Sequence, residues 1–249
     1  AVRHFKKAMQ LDPYHVSSCH QLGRCYVRLG RLQDAVDCFY RAIKARPNPI
    51  PPRLDLGFTL LEGGNVPKAE VLFNEVMNAR PENSKALHGL AGCAFSKGEW
   101  DQAYILAKQA IDSGGGGFAV LYLQARAARL VGFLEAAVEA FESADALLEK
   151  SIEGDPEQPE SYYLRGELKF AQENFAVALE AFSAADSRMD ADAHYYSYGE
   201  HFDKTAVLAK RGMCLYLDRF EEARALGQEV LERDPKHKMG IFLTQAEGK

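Results

Sequence analysis

Cationic and aromatic side chains recur along this 249-residue chain at intervals of three, four and seven residues. His20, Arg24 and Arg28 form one set, Lys85, His88 and Phe95 a second, and Tyr122, Arg126 and Arg129 a third. Phe58 and Tyr163 hold matching places in two further stretches. Such intervals bring side chains onto one face of a helix. Guanidinium groups bind carboxylates through a planar fork of N–H donors, and aromatic rings accept apolar anchors. The chemistry on offer is therefore recognition of acidic and apolar side chains.

Other reactive residues point less far. His194 and His201 lie among Asp190, Asp192, Glu200 and Asp203, which are divalent-metal ligand types, but their spacing follows no ligand motif. The neighbouring Tyr195, Tyr196, Tyr198 and Phe202 suit a packed insertion or a protein contact instead. The run Gly114 to Gly117 lacks the lysine and hydroxyl residue of a phosphate-binding loop. No Ser–His–Asp or Cys–His arrangement can be argued from spacing. The five cysteines (Cys19, Cys25, Cys38, Cys93 and Cys214) are odd in number and contain no CxxC. They read as reduced thiols used as small core residues, which favours a reducing, cytoplasmic compartment. The expectation is a non-enzymatic chain without metal or cofactor.

The elements that would carry these residues are written as a repeat. Alanines at 1, 35, 69, 103 and 137 are spaced by 34 residues, and Ala178 and Ala223 follow at 41 and 45. Phe5, Phe39, Phe73, Phe141 and Phe182 stand four residues after their alanines, and Pro13, Pro47, Pro81 and Pro235 twelve after theirs. Twelve residues before each alanine lies a very small residue: Gly23, Gly57, Ala91, Ala125 and Gly166. Gly212 is eleven before Ala223. Turn glycines Gly30, Gly64, Gly98 and Gly132 separate the two patterns, with Glu173 and Asp218 in the later copies. Small residues let helix backbones approach, large ones fill the space beside them, and glycine ends a helix in a left-handed conformation. A helix pair with one apolar face must stack on its neighbours.

The period and these signature residues resemble the tetratricopeptide repeat family over nearly the whole chain. The resemblance implies an all-α, right-handed superhelical solenoid of helix–turn–helix repeats with a concave groove. On this reading residues 1–15 are a half repeat, so the chain is expected to be part of a longer protein. Six full repeats follow over 16–49, 50–83, 84–117, 118–158, 159–192 and 204–238, then a closing helix over 236–249. The second helix of the fourth repeat carries a seven-residue excess, and an eleven-residue excess precedes the last repeat. The glycine run at 114–117 is a possible hinge.

The groove is expected to be lined by the first helix of each repeat. That makes His20, Arg24, Arg28, Phe58, Lys85, His88, Phe95, Tyr122, Arg126, Arg129 and Tyr163 the candidate partner-binding residues. The expected function is a scaffold or adaptor holding a protein or peptide with acidic and apolar residues. Two alternatives are a regulatory or substrate-recruiting domain of a larger enzyme and a self-associating scaffold. The lysine–asparagine clamp of the chaperone-tail-binding subclass is missing, because its places hold His20 and Arg24, Leu54 and Phe58, and His88 and Gly92. A net charge of −5 gives no reason to expect nucleic acid. No apolar run approaches the roughly 18 residues of a membrane span.

Overall fold

The computed structural model describes residues 2–12, 14–45, 49–197 and 200–246; Ala1, Pro13, Pro47 and Tyr198 lie outside them. Among the described residues the chain forms fourteen α-helices and one small hairpin. α1 (Val2–Leu11) precedes six helix pairs. These are α2 (Val16–Arg28) with α3 (Leu32–Ala45), α4 (Ile50–Glu62) with α5 (Val66–Ala79), and α6 (Ser84–Lys97) with α7 (Trp100–Asp112). Then come α8 (Phe118–Val131) with α9 (Leu134–Gly154), α10 (Pro159–Ala171) with α11 (Phe175–Arg188), and α12 (Lys204–Leu215) with α13 (Phe220–Arg233). α14 (Lys238–Gln245) follows. Between α11 and α12 lie β1 (Tyr195–Ser197) and β2 (Glu200–Phe202), antiparallel, with Tyr195 opposite Phe202 and Tyr196 opposite His201. The fold is an all-α repeat solenoid; α1 to α8 pack on their sequence neighbours, as do α10 to α14.

The chain divides into two compact units, Ala1–Glu142 and Ser143–Lys249. The division falls within α9, a 21-residue helix that absorbs the sequence excess by running two turns longer than its counterparts. In unit 1 the small residues of the signature are a steric requirement. A β-carbon on Gly23 would lie 2.5 Å from the Phe39 ring, and one on Gly57 2.6 Å from Phe73. Gly89 presses on the same Phe73 from the next pair, at 2.3 Å. Phe39, Phe73, Ala35 and Ala69 are fully buried at these crossings. Unit 2 repeats the device with Gly166 against Phe182 at 2.5 Å. A second packing centre there joins Leu215, Ala223 and Leu243.

The turns follow from the backbone each residue tolerates. Gly30, Gly64, Gly98 and Gly132 all take the left-handed conformation, with φ between 67 and 93°. Glu173 does the same job at φ 62°, the one non-glycine in that region among the described residues. Asp218 does not. With one residue fewer between Gly212 and Ala223, Tyr216 stays right-handed (φ −55°, ψ −37°), and the Arg219 amide donates to the Leu215 carbonyl at 2.8 Å. The glycine run closes α7 by hydrogen bonding. The Gly114 amide donates to Ile111 O and the Gly115 amide to Ala110 O. A β-carbon on Gly115 would sit 2.6 Å from that carbonyl, so no larger residue fits.

Candidate functional site

Helix starts set where the candidate residues stand. The Asn83 side chain accepts from the Ala86 amide at 2.9 Å and opens α6; His15 caps α2 by accepting from the Ser18 amide. Because the small and large signature residues hold one face of α2, α4, α6 and α8 against their partners, the opposite stripe is left at the surface of unit 1. Consecutive first helices also touch one another along this stripe: α2 with α4, α4 with α6, and α6 with α8.

The side chains join across those contacts. On α2, His20 Nε2 lies 2.7 Å from Asp55 Oδ2 of α4, and the same oxygen is 3.8 Å from Arg24 Nε. Arg24 is 60% exposed, and Arg28 one turn on is exposed as well. On α4, Phe58 packs edge-on against the buried Phe73, with ring centres 5.0 Å apart, and meets His88 of α6 at 5.3 Å. Leu61 of α4 covers Gly92 of α6, where a β-carbon would come within 2.8 Å of Leu61 Cδ2. On α6, Phe95 lies edge-on to Trp100 at 4.9 Å and carries the Arg126 guanidinium of α8 on its face at 4.6 Å. Arg126 also lies 5.4 Å from the Tyr122 ring, which stacks on Phe118 at 5.5 Å. Lys85 and Arg129 are exposed.

Charge along the stripe is less uniformly basic than the residue types alone would make it. Burial lowers the His88 imidazole to about pKa 4, so it is neutral at pH 7 and acts as a ring surface beside Phe58. Asp55 partly neutralises the Arg24 end. This acid lies one residue beyond the Leu54 place and was not among the candidates. Its signal was its distance from His20, one repeat plus one residue, which lets it reach His20 from the adjacent helix. Arg126 is exposed and has no carboxylate partner among the described residues, while its guanidinium carbon lies over the Phe95 ring.

Tyr163 is not part of this surface. It belongs to unit 2, is 3% exposed, and its ring lies flat against Phe202 at 3.9 Å with 3° between planes. The insertion between α11 and α12 covers it, so the expectation of an open groove residue there is corrected. Within that insertion His194 is 80% exposed and stands 3.9 Å from Asp203, whose carboxylate caps α12 by accepting from the Ala206 amide. Burial pushes the Cys38 and Cys93 thiols up to about 11 and Cys214 to about 12, which leaves them protonated and poorly nucleophilic. No disulfide forms among the described residues, which include all five cysteines.

Two family models described as tetratricopeptide repeat match the chain, over residues 16–49 and 60–127. No curated protein sequence matches. Among solved structures, a tetratricopeptide repeat protein from Parabacteroides merdae aligns with a TM-score of 0.60 at 16% identity, covering 98% of this chain and 90% of that one. The Cut9–Hcn1 hetero-tetramer of APC/C gives a TM-score of 0.72 at 12% identity, covering 97% of this chain and 44% of that one. Yeast Tom70 gives 0.51 at 22% identity, covering 93% and 46%. This chain thus spans less than half the length of the Cut9–Hcn1 and Tom70 chains, and at these identities the likeness is one of fold.

Proposed function

From a chain whose residues 16–49 and 60–127 match tetratricopeptide repeat models, we propose a protein-interaction scaffold whose unit 1 stripe holds a peptide bearing acidic and apolar side chains. The observation that carries this reading is Arg126. Its guanidinium lies 4.6 Å from the Phe95 ring centre and 5.4 Å from that of Tyr122, yet pairs with no carboxylate of its own chain among the described residues. A flexible arginine loses rotamer freedom on binding; one already stacked loses less, so a ligand carboxylate gains more from the contact. Phe58, Leu61 and Phe95 present apolar surface alongside it, and neutral His88 extends that surface rather than adding charge. A peptide with a carboxylate flanked by leucine or aromatic residues matches this order.

The test is capture of partners from native extract by this chain and by an Arg24→Glu/Arg126→Glu/Arg129→Glu variant of equal helical content. It is followed by titration of the captured segment as a synthetic peptide. Loss of the partner in the variant, with a peptide affinity at least about tenfold weaker, is the expected result. Equal capture by both would rule out this face.

A further inference from the structure

The eleven-residue insertion before the last repeat is surplus to repeat packing. α10 and α11 lock through Gly166 and Phe182, as the earlier pairs do, and α12 packs on α13. The insertion instead forms the hairpin β1–β2, one strand lying against α10 and the other against α12. A lone hairpin with three-residue strands is not stable by itself in water, so its order comes from what it docks on. That contact is aromatic. Strand alternation puts Tyr195 and Phe202 on one side of the hairpin, with rings stacked at 5.5 Å, and Phe202 continues onto Tyr163 of α10. The Asp190 amide donates to the Tyr195 hydroxyl at 3.0 Å and fixes the near end. The other side carries Tyr196 and His201, ring to ring at 4.6 Å.

Tyr163 holds the same repeat position as His20, Leu54, His88 and Tyr122. In unit 1 Leu54 is buried, and His20, His88 and Tyr122 are partly buried; in unit 2 the Tyr163 ring is sealed beneath Phe202. We propose that Tyr163 marks a binding subsite for an aromatic side chain on an extended segment, and that Phe202 of the hairpin occupies it as an intramolecular ligand. The flat, parallel stack selects a planar ring, and the strand supplies the register that lays Tyr195 beside it. A partner carrying an aromatic residue on an extended segment competes with the hairpin for this place. The inference concerns unit 2 alone and stands whether or not the unit 1 stripe binds peptide.

The experiment uses the full chain with residues 194–202 replaced by a Gly/Ser linker of equal length. The probe is a synthetic peptide of residues 193–203, compared with the same peptide carrying Phe202→Ala, and binding is followed by calorimetry. The linker variant is expected to keep its helical circular dichroism and to bind the native-sequence peptide. The Phe202→Ala peptide should bind at least about tenfold more weakly, and the unaltered chain should bind neither. Equal affinity for the two peptides, no binding to the folded variant, or loss of helix in the variant would each overturn the proposal. An independent readout on the unaltered chain is amide exchange. A docked ligand opens without the helices, so residues 195–197 and 200–202 should exchange at least about tenfold faster than α10 and α12. Exchange at a common rate would show the hairpin to be part of the core and sink the idea.

Discussion

A guanidinium resting on an aromatic face keeps its edge donors available while its motion is restricted, which makes Arg126 different in kind from Arg24. Arg24 shares Asp55 with His20 at the surface, where such pairs contribute about 0–1 kcal/mol. Arg126→Ala should therefore change stability by only about 0.5–1 kcal/mol, the worth of an exposed cation–π contact, while weakening partner binding far more. Chemical denaturation beside peptide titration separates the two effects. His88 makes a second residue-scale prediction. Its pKa of about 4 lies below the ordinary histidine value, so between about pH 4 and 6.5 the unfolded chain binds the extra proton. Stability is then complete above pH 6.5 and falls as pH drops toward 4, by at most about 3 kcal/mol from this group. A His88→Phe variant should show a flatter stability profile across that window; an unchanged profile would mean that other groups set the acid dependence.

At the scale of elements, the crossings and the turns make opposite demands on glycine. Gly57 is required for space: a Gly57→Ala methyl would collide with the Phe73 ring at 2.6 Å. The expected cost is about 1–3 kcal/mol, read as a lower denaturation midpoint. At the α10–α11 turn the need is conformational. Glu173 adopts φ 62°, which disfavours any residue with a β-carbon. Glu173→Gly should raise stability by about 0.5–1 kcal/mol despite the greater freedom of glycine in the unfolded chain, because the other turns show that glycine fits this geometry. A loss of stability would mean that the Glu173 side chain contributes more than its backbone strain costs.

At the largest scale, α1 to α8 in unit 1 and α10 to α14 in unit 2 contact mainly their sequence neighbours, so perturbations stay local within each unit. Overpacking with Gly57→Val should strip amide protection from α4, α5 and α6 in unit 1 and leave α10 to α13 of unit 2 protected. Hydrogen exchange with mass detection reads this directly. A uniform fall in both units would indicate one cooperative block instead. No helix among the described residues is long and apolar enough to cross a membrane.

The repeat unit was legible in the order of residues, because the 34-residue interval of alanine, phenylalanine and glycine is the direct imprint of two helices crossing closely. The same imprint placed His20, Arg24, Phe58, Phe95, Tyr122 and Arg126 on one stripe, since whatever does not face the crossing must face away from it. What the period could not carry was decided by contacts between repeats. Asp55 stands one repeat plus one residue from His20, but the pair forms only because adjacent first helices touch. His88 loses its charge because Phe58 and its surroundings exclude water, an effect of burial that residue type does not reveal. Tyr163 obeys the pattern as well as Tyr122 does, yet it is covered, because an insertion forty residues downstream folds back onto it. Periodicity reports which face a residue occupies; only tertiary structure determines what else comes to lie on that face.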